Sequence, residues 1–469
     1  MGRLLTAHWM FAIIAAVGCA LFIVITPAGY GLDEQSHVYR AEQISEGIWW
    51  AQLVDLAEGW GGDVPKTLYD YEQSGWLQSN SVDRSKEFYE RSDAFDATAR
   101  RHFGARPYDV DGARVTTDFV NSAVYSPVPY LPAAAGFVIA RVVHADVAGA
   151  LTIARVLNAL VYLVIVFAAL LLVRDLVSRW LILVIALLPE VVFQSSVITA
   201  DTFSDAGGLL FTAVVLRLMS HPIRGLRTST AVLGLAALAL AVMKPSYAPL
   251  LLLILAIPAR NLGGTLSGWI TKAAAIVVPL VVTAGVYLIT AGPSADLVYQ
   301  RADLAAQIVP AEQLRHVLTD PIGFAGVIIR TITIFGDSWR VGIVGLFGYD
   351  TIEVPEPLKI IAMALLLISG LRAAKLRPRT ALLWLVAALG VFLAVIGALY
   401  LTFMPVGAIY ASGVQGRYFL PMLAVAILGL SSLLPVYVAV PRRWEPLVFA
   451  VPAAFVLVCS VAVYAIALY

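Results

Sequence analysis

Apolar runs long enough to cross a bilayer recur from end to end of this 469-residue chain. They restrict its fold more than any other feature. A hydrocarbon core of ~30 Å takes about 20 apolar residues per helical crossing, and a lipid-exposed backbone must satisfy its own hydrogen bonds. The runs are 9–26, 148–173, 180–199, 203–219, 229–243, 246–258, 270–290, 357–371, 381–402, 417–437 and 446–467. Only 13% of the residues are charged and 60% are hydrophobic, against about 25% charged in soluble proteins. The reading is an all-α polytopic membrane protein of about 11 transmembrane helices, a single transmembrane domain over 1–469.

Basic residues near the span ends set the orientation. With the N-terminus inside, the inner segments carry 14 of the 32 Lys and Arg residues, from Arg3 through Arg174, Arg179 and Arg217 to Arg442 and Arg443. Of the 31 acids, only Asp175 and Glu445 lie there, while 17 lie between Asp33 and Asp118 in the first outer loop. Two further apolar stretches, 126–143 and 321–335, would each reverse every later loop if counted alone. They are read as helices lying on or dipping into the outer face. The expected placement is multi-pass, with a cytoplasmic N-terminus and the active face outside.

The outer face then carries nearly all non-membrane material: a large loop at 30–125, the juxtamembrane helix at 126–143 and a second loop at 291–356. No basic arm for nucleic acid is present. Cys19 and Cys459 fall inside spans, so no outer disulfide framework is expected. The run 9–26 is read as a retained helix, not a cleaved signal.

Four stretches carry candidate chemistry. In "GYGLDEQSHVYRAEQISEG" (29–47), a helix from residue 33 puts Asp33 and His37 on one face and Glu34 about 100° around. One acid can serve as general base while the other orients His37 or an acceptor; Arg40 continues the pattern. Asp33 also sits where a helix N-cap belongs. A divalent cation near Asp33, Glu34 and His37 is an alternative without a second ligand cluster. In "LAVMKPSYAPLL", Lys244-Pro245 separates apolar segments that reach about 22 and 20 Å at ~1.5 Å per residue. This places a lysine below the surface, suited to a lipid phosphate, or snorkelling to the interface. In "GVQGRYFLP" (413–421), Arg417 can fork onto phosphate, or anchor at the interface with Tyr418. In "LLPEVVFQSSVITADTFSDAGG" (187–208), Asp201 and Asp205 close the outer end of a span, and Glu190 is expected in a structural network with Arg155 and Asn158. The exposed-loop aromatics Trp49, Trp60 and Trp76 are candidates for stacking on sugars.

An acidic pair after the first span, a large first outer loop, surface helices before the second span and a Lys-Pro break together resemble the C-type glycosyltransferase superfamily (GT-C). More closely, "LDEQSHVYRAEQISEG", "YSPVPYLPAA", "ARVLN", "LLPEVVFQSSVITAD", "MKPSYAPLLL" and "GVQGRYFLP" resemble the bacterial membrane family of domain of unknown function 2142, over residues 32 to 421. Relatives often carry proline before the acidic pair, where this chain has Leu32. The resemblance implies a GT-C-like fold and inverting transfer of a sugar from a polyprenyl-phosphate donor to a cell-envelope glycan or lipid acceptor. It implies Asp33 as base with Glu34 as alternative, and Lys244, Arg417 and Tyr418 on the donor phosphate. His37, Arg40, Asp201 and Trp49 would line the substrate site. Expected partners are the lipid-linked sugar, its acceptor and membrane lipids, with no certain cofactor. Two rival readings are a lipid or glycan transporter or flippase, and a non-catalytic envelope-assembly subunit.

Overall fold

The computed structural model describes residues 6–55, 59–81, 97–223, 225–296, 305–373 and 375–469. Helix α1 (Ala7–Ile25) shows how apolar content becomes architecture. Phe11, Ala15, Cys19 and Phe22 are buried, while Trp9, Ile13, Val17, Leu21 and Val24 face outward at 40% exposure or more. The outward stripe is as hydrophobic as the inward one, so its solvent is lipid.

After α1 the chain turns through Asp33 into α2 (Glu34–Ser45) and then builds a small polar domain. The expected all-α class needs one addition there. Strands β1 (Gln52–Asp55), β2 (Gly59–Pro65) and β3 (Arg114–Asp118) form an antiparallel sheet in that order. Helices α3 (Lys66–Ser81) and α4 (Ala97–Gly104) fall between the last two strands. Segments 82–96 and 297–304 of the two expected outer loops, and the side chain of Trp76, lie outside the described residues.

Residues 126–143 form a 3₁₀ turn and the short helix α5 (Leu131–Val142). Helix α5 packs on α6 (Val147–Leu172), which Asp146 caps through the Gly149 amide at 2.7 Å. The run 180–199 is not one straight helix: α7 (Arg179–Ala186) and α8 (Pro189–Ser196) meet at 58°. Pro189 forces Leu188 out of the helical region, to φ −57° and ψ 134°. Helix α9 (Asp201–Ser220) is the most enclosed of the long apolar helices.

Helix α10 (Leu226–Ala241) leads to the Lys-Pro break. Lys244 is extended, at φ −68° and ψ 134°, and a 3₁₀ helix, Pro245–Ala256, follows. A 3₁₀ helix rises about 2.0 Å per residue, so these 12 residues reach about 24 Å, more than the α-helical geometry expected from sequence allows. Then come α11 (Thr265–Ile289), α12 (Pro310–Thr319) and α13 (Pro321–Val344). Helix α13 is longer than the expected 321–335 and takes in residues 336–344 of the expected second loop. A hairpin of β4 (Leu346–Phe347) and β5 (Ile352–Glu353) precedes α14 (Glu356–Arg372), α15 (Pro378–Phe403), α16 (Leu420–Leu433) and α17 (Val451–Leu468).

Among the described residues, eight helices are long and apolar enough to cross a membrane, or up to nine if the bent α7–α8 pair is one span. The segments Val128–Val142, Leu226–Ala241 and Pro245–Ala256 are shorter apolar helices. The chain is thus a mostly helical, multi-pass membrane protein.

Two glycines bring the elements of the site together. A Cβ on Gly208 of α9 would meet the Pro421 carbonyl of α16 at 2.6 Å, and one on Gly416 would collide with the Trp339 carbonyl of α13. Only glycine permits these backbones to touch.

Candidate functional site

Asp33 and Glu34 diverge because Asp33 adopts a left-handed conformation, φ 59° and ψ 7°, which aspartate tolerates better than most residues. Asp33 holds the N-cap position, yet its carboxylate caps no helix amide. It lies instead 3.5 Å from an Arg417 guanidinium nitrogen.

Glu34 turns the other way. Its carboxylate takes two hydrogen bonds from Arg155, Nε to Oε1 at 2.7 Å and Nη2 to Oε2 at 2.6 Å. The Ile198 and Gly31 amides also donate to it. Arg155 is completed by the Thr26 and Pro27 carbonyls. This interlock joins α2, α6 and the entry to α9, and it leaves Asp33 as the member of the pair that faces the other charged candidates.

The structural network expected for Arg155 is therefore partnered differently. Glu190 accepts from Gln194 Nε2 and from the Leu346 amide, both at 2.8 Å, and so holds the β4–β5 hairpin. Asn158 donates to the Val197 carbonyl and the Thr202 hydroxyl.

Asp201 is the hinge of the cluster. One carboxylate oxygen pairs with Lys244 Nζ at 2.6 Å and the other lies 3.4 Å from Arg417 Nε. Lys244 reaches this point because the Lys-Pro break stops α10 short. Its ammonium lies over the Tyr418 ring at 4.1 Å and the Tyr125 ring at 5.4 Å. Arg417 emerges from the Gly416 turn that α13 holds, where the Trp339 indole donates to the Val414 carbonyl. Arg417 Nε and Nη1 are buried without a hydrogen-bond acceptor of good geometry among the described residues. Buried guanidinium donors left in that state are poised for an anion.

His37 stands behind the cluster. Its ring stacks against those of Tyr125 and Tyr130, and its Nδ1 is 2.7 Å from the Tyr130 hydroxyl. Burial, aided by the Arg417 and Lys244 charges against the opposing pull of Asp201, pushes its pKa down to about 3, so the ring is neutral at physiological pH. Burial raises the Tyr125 phenol to about 12, although the Lys244 charge opposes this.

The divalent-cation alternative does not fit this geometry. Both Glu34 oxygens are held by Arg155, and His37 Nδ1 is held by Tyr130. No group of three or more His, Cys, Asp or Glu side chains converges among the described residues.

Arg40 and Trp49 lie outside the cluster. Buried Arg40 donates to Gln43 and to the Trp49 carbonyl, while the Trp49 ring is exposed. The Trp60 indole donates to Asp296. Tyr125 belongs to the cluster although the sequence gives it no role; its position at the head of "YSPVPYLPAA" is the available signal. Asp205, expected at the outer end of a span, is buried with neither carboxylate oxygen hydrogen-bonded among the described residues.

A cavity of about 430 Å³ runs from Lys244, Tyr125 and Tyr418 between α11 and α15. Val286, Tyr287, Val395, Ala398 and Leu399 give it an apolar wall. It is a greasy slot with the Lys244 ammonium at one end.

Fold and site together define a polytopic membrane protein with a buried charged cluster beside an apolar slot. The chain belongs to the family described as "predicted membrane protein (DUF2142)", whose profile matches residues 17–426. No curated protein and no solved structure matches it.

Proposed function

We propose that the protein is a GT-C-type glycosyltransferase that moves a sugar from a polyprenyl-phosphate carrier to an envelope glycan or lipid acceptor. The observation that carries this reading is the cluster Asp33–Arg417–Asp201–Lys244, whose Lys244 also lines one end of the apolar slot. An isoprenoid chain suits the slot, and its phosphate suits the ammonium and the guanidinium with spare donors.

In this mechanism Asp33 accepts the proton of the acceptor hydroxyl. The hydroxyl oxygen bonds to the anomeric carbon as the bond from that carbon to the phosphate oxygen breaks. Lys244 and Arg417 hold the charge left on the polyprenyl phosphate, with inversion as the outcome. Asp33 is 33% exposed, so the proton can pass on to water. Asp201 keeps the two cations apart and aimed when no donor is bound.

The proposed topology is eleven crossings with the N-terminus cytoplasmic in a bacterial plasma membrane. Helix α13 does not count as a crossing in this scheme. Arg330 donates to the Ile409 carbonyl, Thr331 accepts from Ala411 and Trp339 donates to Val414. The flank of α13 thus follows one connection between α15 and α16.

A lipid transporter is the second reading, favoured by the buried carboxyls of Glu190 and Asp205. Purified protein in nanodiscs, given a panel of polyprenyl-phosphate sugars and acceptors, separates the two. The enzyme yields a new glycosidic product that is lost in Asp33→Asn. A transporter moves lipid between leaflets and makes none.

A further inference from the structure

At the other end of the bundle lies a cavity of about 400 Å³ between the start of α1, the α6–α7 turn and the approach to α17. Its charged and polar lining includes His8, Arg174, Arg179, Arg442, Asp175 and Glu445. Both acids are committed. Glu445 is buried and accepts from Arg179 at 2.6 Å, the Trp180 indole at 2.7 Å and Arg372 at 2.9 Å. Asp175 pairs with Arg217 at 2.9 Å. Arg174 and Arg442 are left without a carboxylate partner among the described residues.

A surplus of basic residues at one membrane face needs no ligand to explain it, but two unmatched arginines lining one concave cavity point further. The start of α1 adds to the positive field, because the Thr6 hydroxyl meets His8 Nε2 at 3.2 Å and does not cap the helix. Close in sequence to the lining residues, Trp9, Trp444 and Leu447 are about half exposed, as side chains at a lipid headgroup boundary are.

We propose that this cavity binds a phosphate-ester anion, which basic pockets at a membrane face recognise, independently of the glycosyl-transfer reading. The same chemistry is presented by an anionic phospholipid headgroup and by soluble phosphate. Full-length protein is therefore compared in phosphatidylcholine nanodiscs, in nanodiscs containing phosphatidylglycerol, and in phosphatidylcholine with added inorganic phosphate. Native mass spectrometry counts retained phosphatidylglycerol, and thermal melting reads protection.

The expected result is binding or protection that falls at least tenfold in the Arg174→Gln/Arg442→Gln double variant, with an unchanged near-ultraviolet circular dichroism spectrum. Response to phosphatidylglycerol alone assigns a headgroup; response to both assigns the phosphate itself. Arg379→Gln is the control, an arginine of the same expected face outside the cavity lining. The proposal is overturned if wild type responds to neither anion, if the double variant binds as wild type does, or if Arg379→Gln loses as much as the double variant.

Discussion

The Arg417 guanidinium lies 3.5 Å from the Asp33 carboxylate, while Glu34, the next residue, is locked to Arg155 by two hydrogen bonds. Adjacent acids thus face different duties. Asp33→Asn is expected to reduce transfer by at least about 100-fold, the scale of general-base catalysis, with donor binding and melting temperature near wild type. Glu34→Gln is expected to lose about 3–5 kcal/mol of stability, the cost of stranding a buried charge, seen first as a lower melting temperature. The assignment of roles fails if the two variants exchange these phenotypes.

Donor affinity tests the cations. Lys244→Ala removes an ammonium and leaves Asp201 underpaired, so donor binding should weaken by about 10- to 100-fold, the scale of a lost charge-assisted contact of 1.5–3 kcal/mol. Arg417→Lys keeps the charge but loses the planar fork. It should weaken binding to a similar degree, and equal affinity for donor in Arg417→Lys would show that the fork is not used.

His37 gives a pH signature. Its folded pKa is about 3 against about 6.5 unfolded, so the unfolded chain binds the extra proton between these values. The contribution is fully present above pH 6.5 and is lost as pH falls toward 3. From pH 6.5 to 5 the loss is about 2 kcal/mol at ~1.4 kcal/mol per unit. Melting curves of wild type and His37→Gln at both pH values isolate it, since other groups titrate in both proteins. Parallel pH dependence in the two would remove His37 as the cause.

Ala398 lines the apolar slot. Ala398→Trp should obstruct it and weaken a long-chain polyprenyl-phosphate sugar about tenfold more than a short-chain analogue. Equal weakening of both would place the lipid tail elsewhere.

Much of the fold is legible because it is local. Apolar runs mark the long helices, Pro189 marks the α7–α8 bend, and Pro245 marks the end of the segment that carries Lys244. The 3₁₀ form of 245–256 is not visible in hydrophobic content, since α and 3₁₀ helices bury the same residues at different rise. The full length of α13 is hidden by Gly336, Gly342 and the charges of Asp337 and Arg340 in its second half, which read as loop. The antiparallel sheet of the outer domain depends on pairing β2 with β3 across α3 and α4, which no short window contains.

The candidate site divides in the same way. The sequence by itself determined the chemical inventory: an acidic pair after α1, a lysine fixed at a proline break, an arginine after a glycine turn, and Asp201 at a helix start. Each follows from local backbone rules and apolar length. Tertiary structure alone decided that Asp33 faces Arg417, that Glu34 is held by Arg155, that Asp201 bridges both cations and that Tyr125 joins them. Those outcomes depend on one left-handed residue at Asp33 and on backbone contacts at Gly208 and Gly416. Residues distant in sequence are matched there by packing and by the cost of leaving a buried charge unpaired.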